Sequence, residues 1–268
     1  MVKSLIYGLL LTFSVAFLSN STGGGEPTGT ITIAGSTSME PLSRELGTAF
    51  ERLHPNVKVI VYGGGSGAGI KAAMMGEVDI GASSRELKEE EKILHAIPIA
   101  RDGIVVIVNR RNRVNGLTIE QLRAVYAGRI ADWRELGGPR RRIVLVNREP
   151  GSGTRGAFEE IVMHGESMSD EGLEQTSTAS VKLTVAANPG AVGYISFGAL
   201  DKTVKALAID GVSPSELTIM NGSYKLQRPF LYLTKNPPTG LVKAYLDFVL
   251  SPAGQAIVAR EYIPVKPR

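Results

Sequence analysis

The 268-residue sequence has no cysteine. That excludes disulfides, thiolate metal sites and a lipid-bearing cysteine anchor together. Histidine is nearly as scarce. His54, His95 and His164 stand far apart with no ligand-like spacing, so neither a metal site nor a cofactor is expected. Aromatic residues make up 6% and do not interleave with basic ones, while the formal charge is only +4. The clusters Arg110–Arg111 and Arg140–Arg142 therefore read as solvated faces, and no nucleic-acid partner is expected. Long apolar runs are absent except at the start, where Lys3 precedes Leu5 to Leu18 and then Ser19-Asn20-Ser21. A basic start, a short apolar run and a small-residue end predict a secretory signal peptide over 1–21, with an uncleaved anchor as the alternative. The run falls short of the about 20 apolar residues that a membrane span needs. The mature chain is expected to be soluble and monomeric in the periplasm or outside the cell.

What the sequence does have is glycine, 31 residues of it, mostly in short clusters between periodic segments. "TITIAG" (30–35), "VKVIVYGG" (57–64) and "VDIGAS" (78–83) read as strands. Between them, 39–53 and 68–76 carry helical spacing, and "RELKEEEKIL" reads as a short polar helix. "IVVIVN" (104–109) is apolar throughout and predicts burial on both faces. The second half repeats the alternation, with helices over 117–128, 155–163 and 179–190 and strands over 142–147 and 191–197. This pattern predicts an α/β fold with a largely parallel sheet. One lobe would need an unusually wide sheet, so two lobes are expected. The sequence predicts 30–108 with 198–268 as lobe one and 109–197 as lobe two, joined near Val108 and Phe197.

Four strand-to-helix junctions share one character: "AGSTSMEPL", "GGGSGAGIK", "GASSREL" and "EPGSGTRGAF". Each hydroxyl has a local reading as a helix cap, and Thr37 with Glu40 and Ser83 with Glu86 fit the capping box. Four together point further. In open α/β sheets the loops at the carboxyl ends of strands gather around ligands. Helix starts there offer free N–H groups and partial positive charge to an anion. Arg148 adds a planar, permanently charged fork suited to a tetrahedral oxyanion. No Walker A string occurs, and the frame around Ser66 breaks the G-x-S-x-G pattern at Ala68. With no histidine placed as a base, a hydrolase using Ser66 or Ser152 on a phosphoester is the weaker reading, and no catalytic residue is expected.

In this order, these four segments resemble the phosphate-binding proteins of bacterial and archaeal phosphate ABC transporters. "ADWRELGG" and "PGAVGYISFGAL" fit the same family, so the resemblance runs from about Thr30 to the C-terminus. It implies a two-lobed type II periplasmic-binding-protein fold with the ligand in the interlobe cleft. It also implies a secreted receptor that binds inorganic phosphate and delivers it to membrane permease subunits. Carried over motif by motif, the phosphate-binding residues are Thr37, Ser38, Ser66, Ser84, Arg85, Arg148, Ser152, Gly153 and Thr154. One position departs. Better-known members have an aspartate where this chain has Ser84, and that carboxylate accepts the proton of hydrogen phosphate. Receptors for sulfate, molybdate or another oxyanion are therefore the alternative reading.

Overall fold

A computed structural model describes residues 27–265; the expected signal segment over 1–21 lies outside them. The described chain opens with β1 (Gly29–Gly35), α1 (Glu40–Leu53), β2 (Val57–Gly64), α2 (Ser66–Met75) and β3 (Ile80–Ser83). Strand β1 lies between β2 and β3 and is parallel to both. Helix α1 buries Leu42, Leu46 and Phe50, an i, i+4, i+8 stripe, and carries Pro41 in its first turn, where the missing N–H costs no helical bond.

The polar helix expected over 85–94 does not form. Leu87 and Leu94 pack into the lobe-one interior without a helix, and a single 3₁₀ turn, Glu89–Glu91, is formed there. The next strand, β4 (His95–Asn109), starts nine positions before the expected Ile104. There follow β5 (Gly116–Leu117), α3 (Ile119–Tyr126), β6 (Val144–Arg148), α4 (Gly153–Phe158), β7 (Leu173–Gln175) and α5 (Thr178–Ala187). The chain continues through β8 (Ala191–Ser196), β9 (Val204–Ala206), β10 (Ala208–Ile209) and α6 (Glu216–Met220). It ends with β11 (Gln227–Thr234), α7 (Gly240–Leu250), α8 (Pro252–Val258) and β12 (Ile263–Pro264).

Strand β4 organises the molecule. The sheet runs in the order β2-β1-β3-β11-β4-β8-β6-β7. The first part of β4 pairs antiparallel with β11, and Ile104 to Val108 pair antiparallel with β8. The sheet is thus parallel only on its two flanks, β2-β1-β3 and β8-β6-β7, and antiparallel through its middle. The apolar run is buried on both faces as its composition predicts. Ile104, Val106 and Val108 join a core with Tyr126, Trp133, Phe158 and Tyr194, and Val105 and Ile107 join Val146, Val181 and Ile195 on the opposite face.

The molecule has two lobes, each with its own core. Lobe one packs Ile31, Leu46, Phe50, Phe230, Tyr232 and Tyr245 around β1 and β11. Lobe two packs around the second half of β4. The cores do not divide after 197. Leu207, Ile209, Ile219, Tyr224 and Leu226, expected in lobe one, lie in the core of lobe two with Leu122 and Trp133. The chain recrosses at β11, after Leu226. Trp133 is a packing residue; its indole Nε1 donates to the Gly190 carbonyl at 2.9 Å. Met75, by contrast, follows a helical pattern yet is exposed, and only Met74 packs against the lobe-one interior.

Candidate anion-binding site

The carboxyl ends of β1, β2 and β3 in lobe one face the carboxyl end of β6 in lobe two. At the first of these, Ser36, Thr37 and Ser38 precede α1. The capping boxes expected there and after β3 do not form. Met39 occupies the N-cap of α1 with no side-chain bond, Glu40 pairs instead with Arg44, and no helix follows Ser83. The hydroxyls at these two turns are therefore not spent on helix ends. At the second end, Gly65 adopts φ +89° to turn the chain into α2, a conformation that disfavours a side chain. At β6 the expected cap does form, since Ser152 accepts from the Arg155 amide at 3.3 Å.

The two lobes meet through these turns. Ser38 Oγ lies 3.0 Å from Thr154 Oγ1 and 2.9 Å from Thr178 Oγ1. The Gly67 amide donates to the Gly151 carbonyl at 3.0 Å. A Cβ on Gly153 would stand 2.2 Å from Ser66 Oγ, so only glycine fits between the lobes there. Ser84 lies deeper, where it accepts from Ser36 Oγ at 2.8 Å and its amide donates to Ser66 Oγ at 3.0 Å. Ser38, Ser66, Ser84, Ser152 and Thr154 are all buried, an unusual density of hydroxyls for an interior.

Two guanidinium groups enter this cluster, one from each lobe. Arg148, at 1% exposure, is gripped by Glu149 through bonds of 2.8 and 3.0 Å and by the Gln175 carbonyl at 3.1 Å. Its Nη2 reaches across to Thr37 Oγ1 at 3.3 Å. Arg228, on β11, donates through Nε and Nη2 to Asp102 Oδ2 at 2.9 and 2.8 Å. Its Nη1 donates to Thr154 Oγ1 at 2.7 Å and to Ser84 Oγ at 3.2 Å. Burial pushes the Asp102 carboxyl up from its ordinary value and the Arg228 guanidinium down, and each partner's charge counters the other's shift. A guanidinium starts far above neutrality and keeps its proton. Ser196 Oγ and the Phe197 amide also donate to the Asp102 carboxylate.

The PBP superfamily domain matches residues 20–253 of this chain. The phosphate-binding protein PstS of Bacillus subtilis is 36% identical over 255 residues, covering 92% of this chain and 85% of the relative. Among solved structures, a substrate-binding protein from Clostridium perfringens, assigned to a phosphate ABC transporter and holding bound phosphate, has a TM-score of 0.87. It is 42% identical and covers 89% of this chain and all of its own. An ABC-type phosphate transport receptor from Vibrio cholerae has a TM-score of 0.75 at 35% identity, covering 88% of this chain and all of its own. The chain belongs to the PstS family within the PBP superfamily.

In this PstS-family chain, the cleft brings together Thr37, Ser38, Ser66, Ser84, Arg148, Gly153 and Thr154. Ser152 is buried beside them as the cap of α4. Arg85 stands apart. Its guanidinium is clamped by both oxygens of Glu91 at 2.7 Å each and also donates to the Glu86 carbonyl. That bond holds the Glu91 carboxyl below the usual carboxylate range. We expect Arg85→Ala to leave anion affinity unchanged in calorimetry; a clear loss would place Arg85 in the pocket. Sequence reasoning missed Ser36, Asp102, Thr178 and Arg228. Thr178 follows Ser177 at the start of α5, a further hydroxyl-bearing junction of the kind already recognised at four places. Arg228 sits inside a strand and carries no such local signature.

Proposed function

We propose that this protein captures inorganic phosphate between its lobes and delivers it to the permease subunits of an ABC transporter. The observation that carries this reading is the convergence of hydroxyls and a guanidinium from each lobe on one buried point. Fixed donors in a dry cleft favour an anion far more than they do in water. Thr37, Ser38, Ser66 and Ser84 from one side, with Arg148, Ser152, Gly153 and Thr154 from the other, are our binding residues. Because both lobes contribute, ligand contacts favour the closed arrangement, which is how a hinge receptor couples capture to shape. The likeness to a relative holding bound phosphate supports the same ligand.

We read the chain as a binding protein and not an enzyme. Ser66 is engaged with Ser84, and Ser152 is engaged as a helix cap, so neither is poised as a nucleophile. We also read it as a secreted monomer without a nucleic-acid partner. In the arginine triplet Arg142 is paired with Glu171 at the surface, which supports a solvated face. Isothermal titration of the purified protein with phosphate tests the central claim. Saturable binding with one phosphate per chain is expected, and a flat titration with phosphate removes the reading.

A further inference from the structure

The end of lobe two farthest from the cleft gathers cations that the sequence keeps apart. Strands β4, β6 and β8 run between the cleft and this pole, where Val108 pairs with Val192 and Val144 with Ala191. The turns that leave them close into a ring. The Asn109 side chain donates to the Val185 and Ala186 carbonyls at the end of α5, at 3.1 and 2.7 Å. The Gly190 carbonyl just beyond accepts from the Val144 amide and the Trp133 indole. Gly138 lies against the next turn, since a Cβ there would stand 2.9 Å from Val114 Cγ2. Lys205 fastens β9 to the same ring, donating from Nζ to the Asn112 carbonyl at 2.6 Å.

This ring carries Arg110, Arg111, Arg113, Arg140, Arg141 and Lys202, all exposed. The neighbouring carboxylates are spent on other cations: Glu171 on Arg142, Asp132 on Arg134 and Asp201 on Lys182. None of the six has an ion-pair partner among the described residues. Two contacts hold the clusters to the ring: the Arg110 guanidinium donates to the Lys202 carbonyl at 2.8 Å, and the Arg141 stem lies beside Gly190. Each arginine cluster taken alone is a solvated face. Together they make a field of one sign, whose self-repulsion opposes folding unless a partner neutralises it. No exposed aromatic or large aliphatic side chain belongs to the ring, so it offers charge without a platform on which bases could stack.

We propose that this pole is an electrostatic docking surface for a membrane of anionic lipid headgroups. A headgroup layer spreads negative charge over an area and demands no fixed hydrogen-bond geometry, which is what a ring of exposed, unpaired cations fits. Each basic residue near such a layer strengthens binding by about fivefold. Six acting together hold a protein whose sequence has no cysteine thiol to carry a lipid. The inference rests on the delivery reading above only in placing the protein beside a membrane. Because the pole faces away from the cleft, this contact leaves the phosphate residues and the hinge free.

Cosedimentation of the purified protein with vesicles tests it. At about 0.05 M salt, vesicles containing phosphatidylglycerol should bind at least about a hundredfold more tightly than pure phosphatidylcholine. That preference should vanish near 1 M salt, where the screening length falls to about 3 Å. Equal binding to both vesicles, or a preference that survives high salt, overturns the proposal. Arg110→Gln with Arg111→Gln, and separately Arg140→Gln with Arg141→Gln, should each weaken binding by roughly 30-fold with the thermal midpoint retained. A loss with only one pair means that the clusters do not form one surface, and refutes it. Arg52→Gln with Lys71→Gln removes the same charge from exposed positions of lobe one and should change nothing. An equal loss there assigns the binding to net charge and not to the pole. Retention on heparin without vesicle binding gives the pole to a soluble polyanion and overturns the lipid assignment. The lipid and salt comparisons use the unsubstituted chain and decide the question even where a variant fails to fold. A flat phosphate titration with vesicle binding intact removes the capture reading alone. Phosphate binding without vesicle binding removes this inference alone.

Discussion

Gly153→Ala is expected to abolish phosphate capture while leaving the fold intact. An alanine at the start of a helix normally costs nothing, and in helix interiors it is favoured over glycine by about 0.5–1 kcal/mol. Gly153 is the first residue of α4, so local propensity alone makes the substitution neutral or better. The cleft reverses that sign. The added Cβ would stand 2.2 Å from Ser66 Oγ, 2.8 Å from Ser66 Cβ and 2.8 Å from Ser84 Oγ. Ser66 and Ser84 are both fully buried and tied to each other, so neither can swing away. The lobes must separate instead, and donors from opposite lobes can no longer reach one anion. Charge-assisted bonds contribute about 1.5–3 kcal/mol each, so losing two of them weakens binding by roughly 10² to 10⁴. Thermal unfolding separates the two levels. The ligand-free variant should melt within a few degrees of the parent, and phosphate at a concentration that just saturates the parent should no longer raise its midpoint. A preserved ligand shift would mean that the lobes meet somewhere other than Ser66 and Gly153.

Gly153 was legible in the sequence, and the reason is physical. Where backbone must approach a ligand or an opposing turn, side chains are small and polar, and such residues cluster in sequence at strand ends. The turns at Thr37, Ser66 and Ser152 could be found that way. What the clusters did not reveal was their local geometry. Thr37 and Ser83 carry the spacing of capping boxes, but α1 is capped by Met39 and no helix follows β3. Tertiary partners overrode the local pattern. The first half of β4 was illegible for a related reason. "HAIPIARDG" contains a proline and two charged residues, and it becomes a strand because β11 pairs along it and β12 pairs with Ala100 and Arg101. The same pairing brings Arg228 to Asp102, a bond between residues 126 positions apart. Nothing local to "LQRPFLYLT" marks its arginine as buried. The lobe boundary went wrong in the same place, because short β9, β10 and α6 return to lobe two before β11 crosses back.

Arg148→Ala is expected to cost as much binding as Gly153→Ala and to uncouple phosphate from closure. Arg148 is the lobe-two arginine gripped within the cleft: Glu149, the Gln175 carbonyl and Thr37 hold its Nε and Nη2, and its Nη1 faces Thr178 Oγ1 at 3.5 Å. Its position is set from behind as well, since its amide donates to Asn147 Oδ1 at 2.9 Å and the Tyr194 hydroxyl donates to that same oxygen. Tyr194 is in turn stacked on Phe158 with centroids 4.2 Å apart, so the arginine stands on the aromatic core of lobe two. Removing the side chain takes away the charge and leaves the Glu149 carboxylate facing the cleft alone, which repels an incoming anion. Two charge-assisted bonds at about 1.5–3 kcal/mol each set a loss of roughly 10² to 10⁴ in affinity, before that repulsion is counted. Arg148→Lys should fall between, because an ammonium restores the charge on Glu149 but cannot bridge to Thr37 at the same time. Small-angle scattering distinguishes this role from a structural one. The parent should become more compact on adding phosphate. Arg148→Ala should keep its ligand-free dimensions at the same concentration, and should compact only where binding is forced by excess. If the alanine variant bound phosphate and compacted like the parent, Arg148 would be a buried structural ion pair, and Arg228 would have to carry the charge of the site by itself.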